Sequence, residues 1–385
     1  MKSTRSRTGA ALLLGATVLL LPLPAAANSF FSLGEQYSGY KSNQSREKGS
    51  QFYTPVAASV GSEGGLFAGL ASGYAVSTYR PPEPGAPDVT VSTMLDTKLS
   101  LFYTATLGGA CVRVGSTFNL PTGMSALSAK QRPAEMDREF GDLVDVTNFG
   151  EGTNASPGLA VTLPLDAFTL GLGGSFHVKG AYDPTTDVAN DDVDPGDEVL
   201  GKVSLRWSGG HTKISAGIKY QYIGADKVGG QMVYKEGNEL SANAYLEYTP
   251  RPWFVFLEGA YNNREKGRNA SGSGDLPVDE FARYGDDLYL KATVQYLATA
   301  SLVLVVEGNG RWAQGNNYPH DSAFYDSGRS SWQAEAGFVY QVFPGIFVSG
   351  SVSYQQVREA VDATLAEDTT YNGLKGSLHV ATIFK

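Results

Sequence analysis

The chain has 385 residues, 30 Lys+Arg against 39 Asp+Glu, 46 glycines, 21 tyrosines and one cysteine. The acidic excess argues against a nucleic-acid partner, which is held by neutralising phosphates with Lys and Arg. The glycine content argues against a helical protein, and a lone Cys111 leaves no internal disulfide and no cysteine zinc site.

In chain order, residues 1–27 read as a secretory signal: Lys2, Arg5 and Arg7, an apolar run from Ala10 to Leu21, and a small-residue cleavage site at Ala25-Ala26-Ala27. Residues 28–385 then hold 27 basic against 39 acidic side chains, a net charge near −12. No later apolar stretch is long enough for a membrane helix, which leaves a closed barrel as the other way to span a bilayer.

Beyond the signal the chain alternates with period two in segments of about ten residues, as barrel strands require. Leu288, Leu290, Ala292, Val294 and Tyr296 alternate with Tyr289, Lys291, Thr293 and Gln295. Ile214, Ala216, Ile218 and Tyr220 alternate with Lys213, Ser215, Lys219 and Gln221, and Trp332, Ala334, Ala336, Phe338 and Tyr340 with Gln333, Glu335, Val339 and Gln341. The expected strands are 29–40, 51–60, 66–80, 97–107, 110–120, 154–165, 167–180, 197–208, 211–223, 238–248, 252–263, 286–296, 299–312, 330–341, 345–357 and 372–384. Short turns near Gly108-Gly109, Gly209-Gly210 and Phe343-Pro344 alternate with long polar loops at 41–50, 81–96, 121–153, 181–197, 224–237, 264–285, 313–329 and 358–371. One bare end and one looped end is the pattern of short periplasmic turns and long extracellular loops. The expectation is therefore an all-β fold: an antiparallel transmembrane β-barrel of about 16 strands in the outer membrane of a Gram-negative bacterium.

Two aromatic belts agree with this. Trp207, Tyr248, Trp253, Tyr296 and Tyr340 sit on the apolar phase beside short turns, and Tyr222, Tyr261, Trp312, Trp332 and Tyr354 sit on it beside long loops. The weakest strand is the first, where Glu35 falls on the lipid-facing phase between Leu33 and Tyr37. The final segment places Leu374, Gly376, Leu378, Val380, Thr382 and Phe384 on one phase. With that strand the chain resembles bacterial outer-membrane β-barrel porins, whose last strand ends in an aromatic residue; here Phe384 is penultimate and Lys385 follows. A second, local resemblance rests on Asn119-Leu120-Pro121-Thr122-Gly123, a charged stretch and then Phe149-Gly150-Glu151-Gly152. It is similar to porin-type transporters linked to phenol degradation and the long-chain fatty-acid transporter superfamily. Fatty-acid transporters carry an N-terminal hatch that begins with Asn-Pro-Ala, and no such motif stands near Asn28. What the porin resemblance implies is a channel for small polar or ionic solutes, assembled as a homotrimer in outer-membrane lipid and lipopolysaccharide.

The longest loop, 121–153, holds the third outer position, and in general porins that loop folds into the lumen as a constriction. Its charged centre is Lys130, Arg132, Glu135, Asp137, Arg138, Glu139 and Asp142, with Pro133 suited to a first helical turn. By alternation Lys98, Arg113, Lys179, Lys202, Arg206, Lys213 and Lys219 line one side of the pore wall, and Glu247, Glu258, Glu307 and Glu335, with Lys291 among them, line the other. An acidic loop facing a basic wall would set a transverse field that orients polar solutes and sets ion preference. Loop 181–197 holds Asp183, Asp187, Asp191, Asp192, Asp194 and Asp197 without the spacing of a calcium loop, and reads as a solvated acidic loop able to meet lipopolysaccharide through divalent ions.

Enzyme chemistry has thin support. His320-Asp321-Ser322 brings together triad residue types, but as neighbours, whereas a working triad converges from separate segments. No catalytic residue, metal site or cofactor is expected. Two other readings stay open. A hydrophobic-compound transporter would place residues 28–50 inside the barrel, and a scaffold would sheathe an electron-transfer or surface partner.

Overall fold

The computed structural model describes residues 29–62, 64–136, 142–188, 192–270, 276–322, 325–360 and 368–384. The expected signal segment 1–27 lies outside them.

Sixteen antiparallel strands form the wall. They are β1 (Ser29–Ser42), β2 (Lys48–Gly61), β3 (Leu66–Arg80), β4 in two pieces (Val89–Met94 and Thr97–Leu107), β5 (Ala110–Leu120), β6 (Asn154–Leu165), β7 (Phe168–Lys179) and β8 (Glu198–Gly209). The second half has β9 (Thr212–Ile223), β10 (Glu239–Tyr248), β11 (Trp253–Arg264), β12 (Asp287–Leu297), β13 (Leu302–Gln314), β14 (Gly328–Phe343), β15 (Ile346–Glu359) and β16 (Thr369–Phe384). Each pairs with the next, and β1 pairs with β16 from Ser29↔Phe384 to Ser42↔Tyr371, which closes the sheet on itself. Closure leaves no edge strand unpaired, as a bilayer demands.

The period-two pattern decides which way each strand faces. On the outward phase, Leu101, Leu159, Val203, Ile218, Leu257, Leu304, Val352 and Leu378 are all exposed. A continuous apolar outer surface of this kind is stable against lipid and not against water. Residue 29 onward is wall, so the doubtful first strand is real, and Glu35 does lie on its outward phase, where Thr54 Oγ1 of β2 donates to both carboxylate oxygens at 3.0 Å.

Three local expectations are corrected. The loop expected at 81–96 is shorter, because Val89–Met94 pairs with β3. Tyr74 faces Met94 while Ala71 faces Lys98, so the Leu95-Asp96 step holds one residue more than its partner strand. This is a bulge, which turns a side chain out of the alternation. Loop 224–237 contains a hairpin, Ala225–Val228 with Gln231–Lys235, which joins Val193–Asp194 and Arg268–Asn269 in a four-stranded ribbon built from three outer loops. In loop 121–153, the described residues at Pro133 form only a single 3-10 turn, Arg132–Ala134, rather than a longer helix.

A candidate pore lining

The longest loop lies against the inner wall, and its neck explains the motif that flanks it. The bulge aims the buried Asp96 carboxylate at three donors: Asn119 Nδ2 at 2.6 Å, the Gly123 amide at 2.8 Å and the Glu151 amide at 2.7 Å. Asn119 Nδ2 also donates to the Gly152 carbonyl at 2.7 Å. The two halves of the motif, 119–123 and 149–152, are therefore the two legs of one neck. Gly123 is required there because a Cβ would stand 2.0 Å from the Phe149 carbonyl oxygen.

Beyond the neck the loop crosses the inner faces of β1–β4 and β14–β16. Leu127, Ala134, Val146 and Phe149 bury against Ala75 of β3 and Val91 of β4. Met136, Leu143 and Val144 bury with Tyr40 of β1, Val357 of β15 and Tyr371 of β16. Polar wall residues hold its backbone. Gln51 of β2 donates to the Val146 carbonyl (2.8 Å) and accepts from the Val146 amide (2.7 Å), and Gln355 of β15 donates to the Leu143 carbonyl (2.7 Å). Asp145 accepts from Ser38 of β1 at 2.5 Å and from Lys375 of β16 at 3.1 Å.

Of the loop charges read from sequence, Asp142 lies 3.7 Å from Arg329 of β14, on the wall the loop is docked to, and Arg132 donates to the Pro184 carbonyl of the next loop at 3.2 Å. Lys130 is exposed and Glu135 is half-buried beside the 3-10 turn. Asp137, Arg138 and Glu139 lie outside the described residues. Glu151 has a pKa raised above the ordinary carboxylate value, chiefly because burial penalises its charge, with nearby Lys98 opposing the rise and Asp96 adding to it.

The twelve wall residues all fall on the inward phase of their strands, and half of them are locally neutralised. Lys179 pairs with Glu198; Lys213 with Glu247 at 2.6 Å; Lys219 with Glu239 at 2.8 Å; Lys291 with Glu307 at 2.7 Å. Glu239 is also bound by Arg264 at 3.0 Å. Four cations on β4 to β8 differ, since no carboxylate comes within 4 Å of them among the described residues. The Arg113 guanidinium stands 4.1 Å above the Phe102 ring, and Arg206 Nε donates to the Tyr245 hydroxyl at 3.0 Å. Lys98 stands in register with Asn119. Lys202 lies flat across Gly173 of β7, whose absent Cβ would come 2.9 Å from Lys202 Cε. On the other side Glu258 faces Lys291 in register, but Lys291 turns to Glu307, and Glu335 accepts a long bond from Gln333 at 3.3 Å.

Glu198, Glu239, Asp287, Arg264 and Arg329 are wall charges that the sequence reading left out. Arg311 binds Asp287 at 2.6 Å, and Arg329 binds Glu359 at 3.1 Å. Extending the alternation to the strand ends would have found them; their partners depend on register. In the acidic loop, Asp194 pairs with Lys227 at 3.0 Å, Asp183 accepts from the Thr185 amide at 2.9 Å and Asp197 from the Lys179 amide at 3.0 Å, each carboxylate engaged separately.

No family model matches the chain. Its sequence is similar to porin Omp2a of Brucella suis and of Brucella canis, 25% identical over 255 residues, which covers 61% of this chain. The chain spans 64% of the length of those relatives. Among solved structures, the anion-selective porin of Comamonas acidovorans aligns over 93% of this chain and 99% of its own, with 12% identity and a TM-score of 0.43. OccAB1 of Acinetobacter baumannii aligns over 93% and 97%, with 10% identity and a TM-score of 0.45. A closed sixteen-stranded antiparallel barrel with an apolar outer wall is an outer-membrane barrel of a Gram-negative bacterium, and in sequence this one is similar to porins.

Proposed function

We propose that the protein is a passive channel for small polar or ionic solutes, narrowed by loop 121–153. The observation that carries this reading is the loop's position on the inner faces of β1–β4 and β14–β16. In a closed barrel of sixteen, β8 and β9 stand across from β1 and β16. Solutes would then pass between the loop, which carries Lys130 and Glu135, and a wall that carries Arg113, Lys202 and Arg206 without carboxylate partners among the described residues. Because Asp142 and Asp145 are engaged by Arg329 and Lys375, the field across the gap would be set mainly by the unpaired cations. This favours anions over the cation preference that the net acidity of the chain would suggest.

The hydrophobic-transporter reading required residues 28–50 inside the lumen. Residues 29–42 are wall instead, which leaves no N-terminal hatch in the described residues. Self-association belongs to the same proposal. Glu35 is an outward carboxylate in a membrane-facing wall whose one partner among the described residues is Thr54, and covering β16, β1 and β2 with further copies, as in a homotrimer, would take it out of lipid.

The test is single-channel current in a planar bilayer, with reversal potential under a salt gradient. Stable ohmic steps with an anion-selective potential are expected. A folded but silent barrel would overturn the channel, and a cation-selective potential would overturn the assignment of the field to the unpaired cations.

A further inference from the structure

Outside the lumen, one stretch of the wall breaks the pattern of the rest. On β9, β11, β13, β14 and β15 the outward phase near the long loops carries a large aromatic ring: Tyr222, Tyr261, Trp312, Trp332 and Tyr354. On β1–β3 the aromatic pair Tyr37 and Phe52, ring centroids 5.0 Å apart, sits lower, and the next outward positions are Gly39, Ser50 and Thr78. Above these comes a row of cations, Lys41↔Lys48↔Arg80, in direct cross-strand register. All three are exposed on the outward phase, and Arg46 joins Lys48 and Arg80 around a groove under the β3–β4 loop.

The cations are only partly balanced: Asp88 also lies in the field of Lys48, and Glu83 lines the same groove. Arg80 holds Asp88 with two bonds, 2.7 Å and 2.6 Å. Lys41, Arg46 and Lys48 have no carboxylate within 4 Å among the described residues. At the outer ends of the other strands, the described outward phase carries a single basic residue, Arg358, and Asp368 holds it. The cations are thus concentrated on one arc of the circumference.

Height decides what they meet. Four residues separate Tyr37 from Lys41, about 13 Å along the strand and roughly 10 Å along the membrane normal at the usual barrel tilt. Aromatic belts mark the edge of the hydrocarbon, so the row stands at the level of the outer-leaflet headgroups. The shelf below it is small and hydroxylated. The Tyr37 hydroxyl reaches up over Gly39, 2.6 Å from where a Cβ would be, beside Ser50 and Thr78. Cations and hydroxyls on a wall that faces lipid headgroups fit phosphate oxygens.

We propose that Lys41, Lys48 and Arg46, with Arg80 at the rim, bind the phosphates of an outer-leaflet glycolipid, with its acyl chains lying on the apolar wall below Tyr37 and Phe52. The site rests on the outer-membrane placement and not on conductance. Glu35 lies six residues below Lys41, about 20 Å along the strand, so a copy covering Glu35 leaves the row open at its upper edge.

The experiment is native mass spectrometry of the folded full-length protein in detergent, titrated with bisphosphorylated lipid A and with the same lipid stripped of its phosphates. Wild type should retain the phosphorylated form in preference. The Lys41→Gln/Lys48→Gln variant should bind it about tenfold or more weakly, and Lys41→Glu/Lys48→Glu more weakly still, with Lys227→Gln unchanged as a loop control. Heat-shifted gel mobility and bilayer conductance verify that each variant is a folded barrel. Equal retention by wild type and the double variants, or indifference to the phosphates, overturns the site. So does normal lipid retention with loss of oligomer, which would make the row a contact between copies. Absence of conductance in all samples would count against the channel alone.

Discussion

The side-chain amide of Gln51 holds the peptide unit of Val146 by both its polar edges, 2.8 Å to the carbonyl and 2.7 Å to the amide. The same amide also donates to Ser77 at 2.7 Å, within the inner wall. An amide that mimics a strand edge in this way fixes the loop's height in the lumen as well as its presence there.

Replacing Gln51 with Leu removes both bonds and leaves two buried backbone groups unpaired. Each such loss costs about 1–3 kcal/mol. The expected result is a barrel that still folds, with faster amide exchange at Val146 and larger, noisier single-channel current. Unchanged exchange at Val146 would show that the apolar anchors alone hold the loop.

Asp96 governs the neck. Asp96→Ala leaves the Gly123 and Glu151 amides and the Asn119 side chain without their acceptor, at a cost of about 2–5 kcal/mol. The expected readout is a lower unfolding midpoint in guanidinium together with protease cleavage inside 121–153. Asp96→Asn should be milder, because an amide oxygen still accepts. Equal effects of the two would mean that the bulge, and not the carboxylate, carries the neck.

The unpaired lysine on β8 gives a charge test that need not disturb the fold. Lys202→Glu should move the reversal potential toward cations, and Lys213→Gln, whose wild-type partner is Glu247, should move it less. Gly173→Ala should act through Lys202 by lifting its aliphatic chain off the wall into the lumen, lowering conductance while keeping the sign of selectivity. A larger shift from Lys213→Gln than from Lys202→Glu would refute the distinction between paired and unpaired wall charges.

Two loop carboxylates titrate above their ordinary range. Burial is the main cause at both Glu151 and Glu47; bonds from Tyr371 and Tyr79 partly offset it at Glu47. A raised folded-state pKa means the folded protein binds the proton more tightly than the unfolded chain. Stability is therefore lost as pH rises from the unfolded value through the folded one, and it is regained on acidification. Glu151→Gln should remove its part of that dependence, seen as a flatter unfolding midpoint between acid and neutral pH. An unaltered pH profile would assign the dependence elsewhere.

Most of the wall could be read directly from residue order. Alternation places Leu288 and Lys291 on opposite faces with no knowledge of their neighbours, and long polar loops count the strands. What could not be read depends on register and on contacts far apart in sequence. Lys291 faces Glu258 in the ladder yet binds Glu307, and no local pattern decides between them. The bulge at Leu95-Asp96 hid the first half of β4, because it shifts the alternation by one residue. Attention to the charges of loop 121–153 also missed Leu127, Val144 and Val146, which have no periodicity and are apolar for the sake of a surface that only the folded barrel creates.

Asp145 takes one bond from Ser38 and another from Lys375, residues on the first and last strands of the wall. These are the two edges that meet where the cylinder is zipped shut. The carboxylate can be satisfied from both sides only after that seam has formed, across separations of 107 and 230 residues. The inner loop is thus a staple over the joint as well as an obstacle in the passage. Narrowing the pore and sealing the wall become one late, cooperative event in assembly, and a chain that fails to seat this loop should show its weakness first as fraying at the β1–β16 joint.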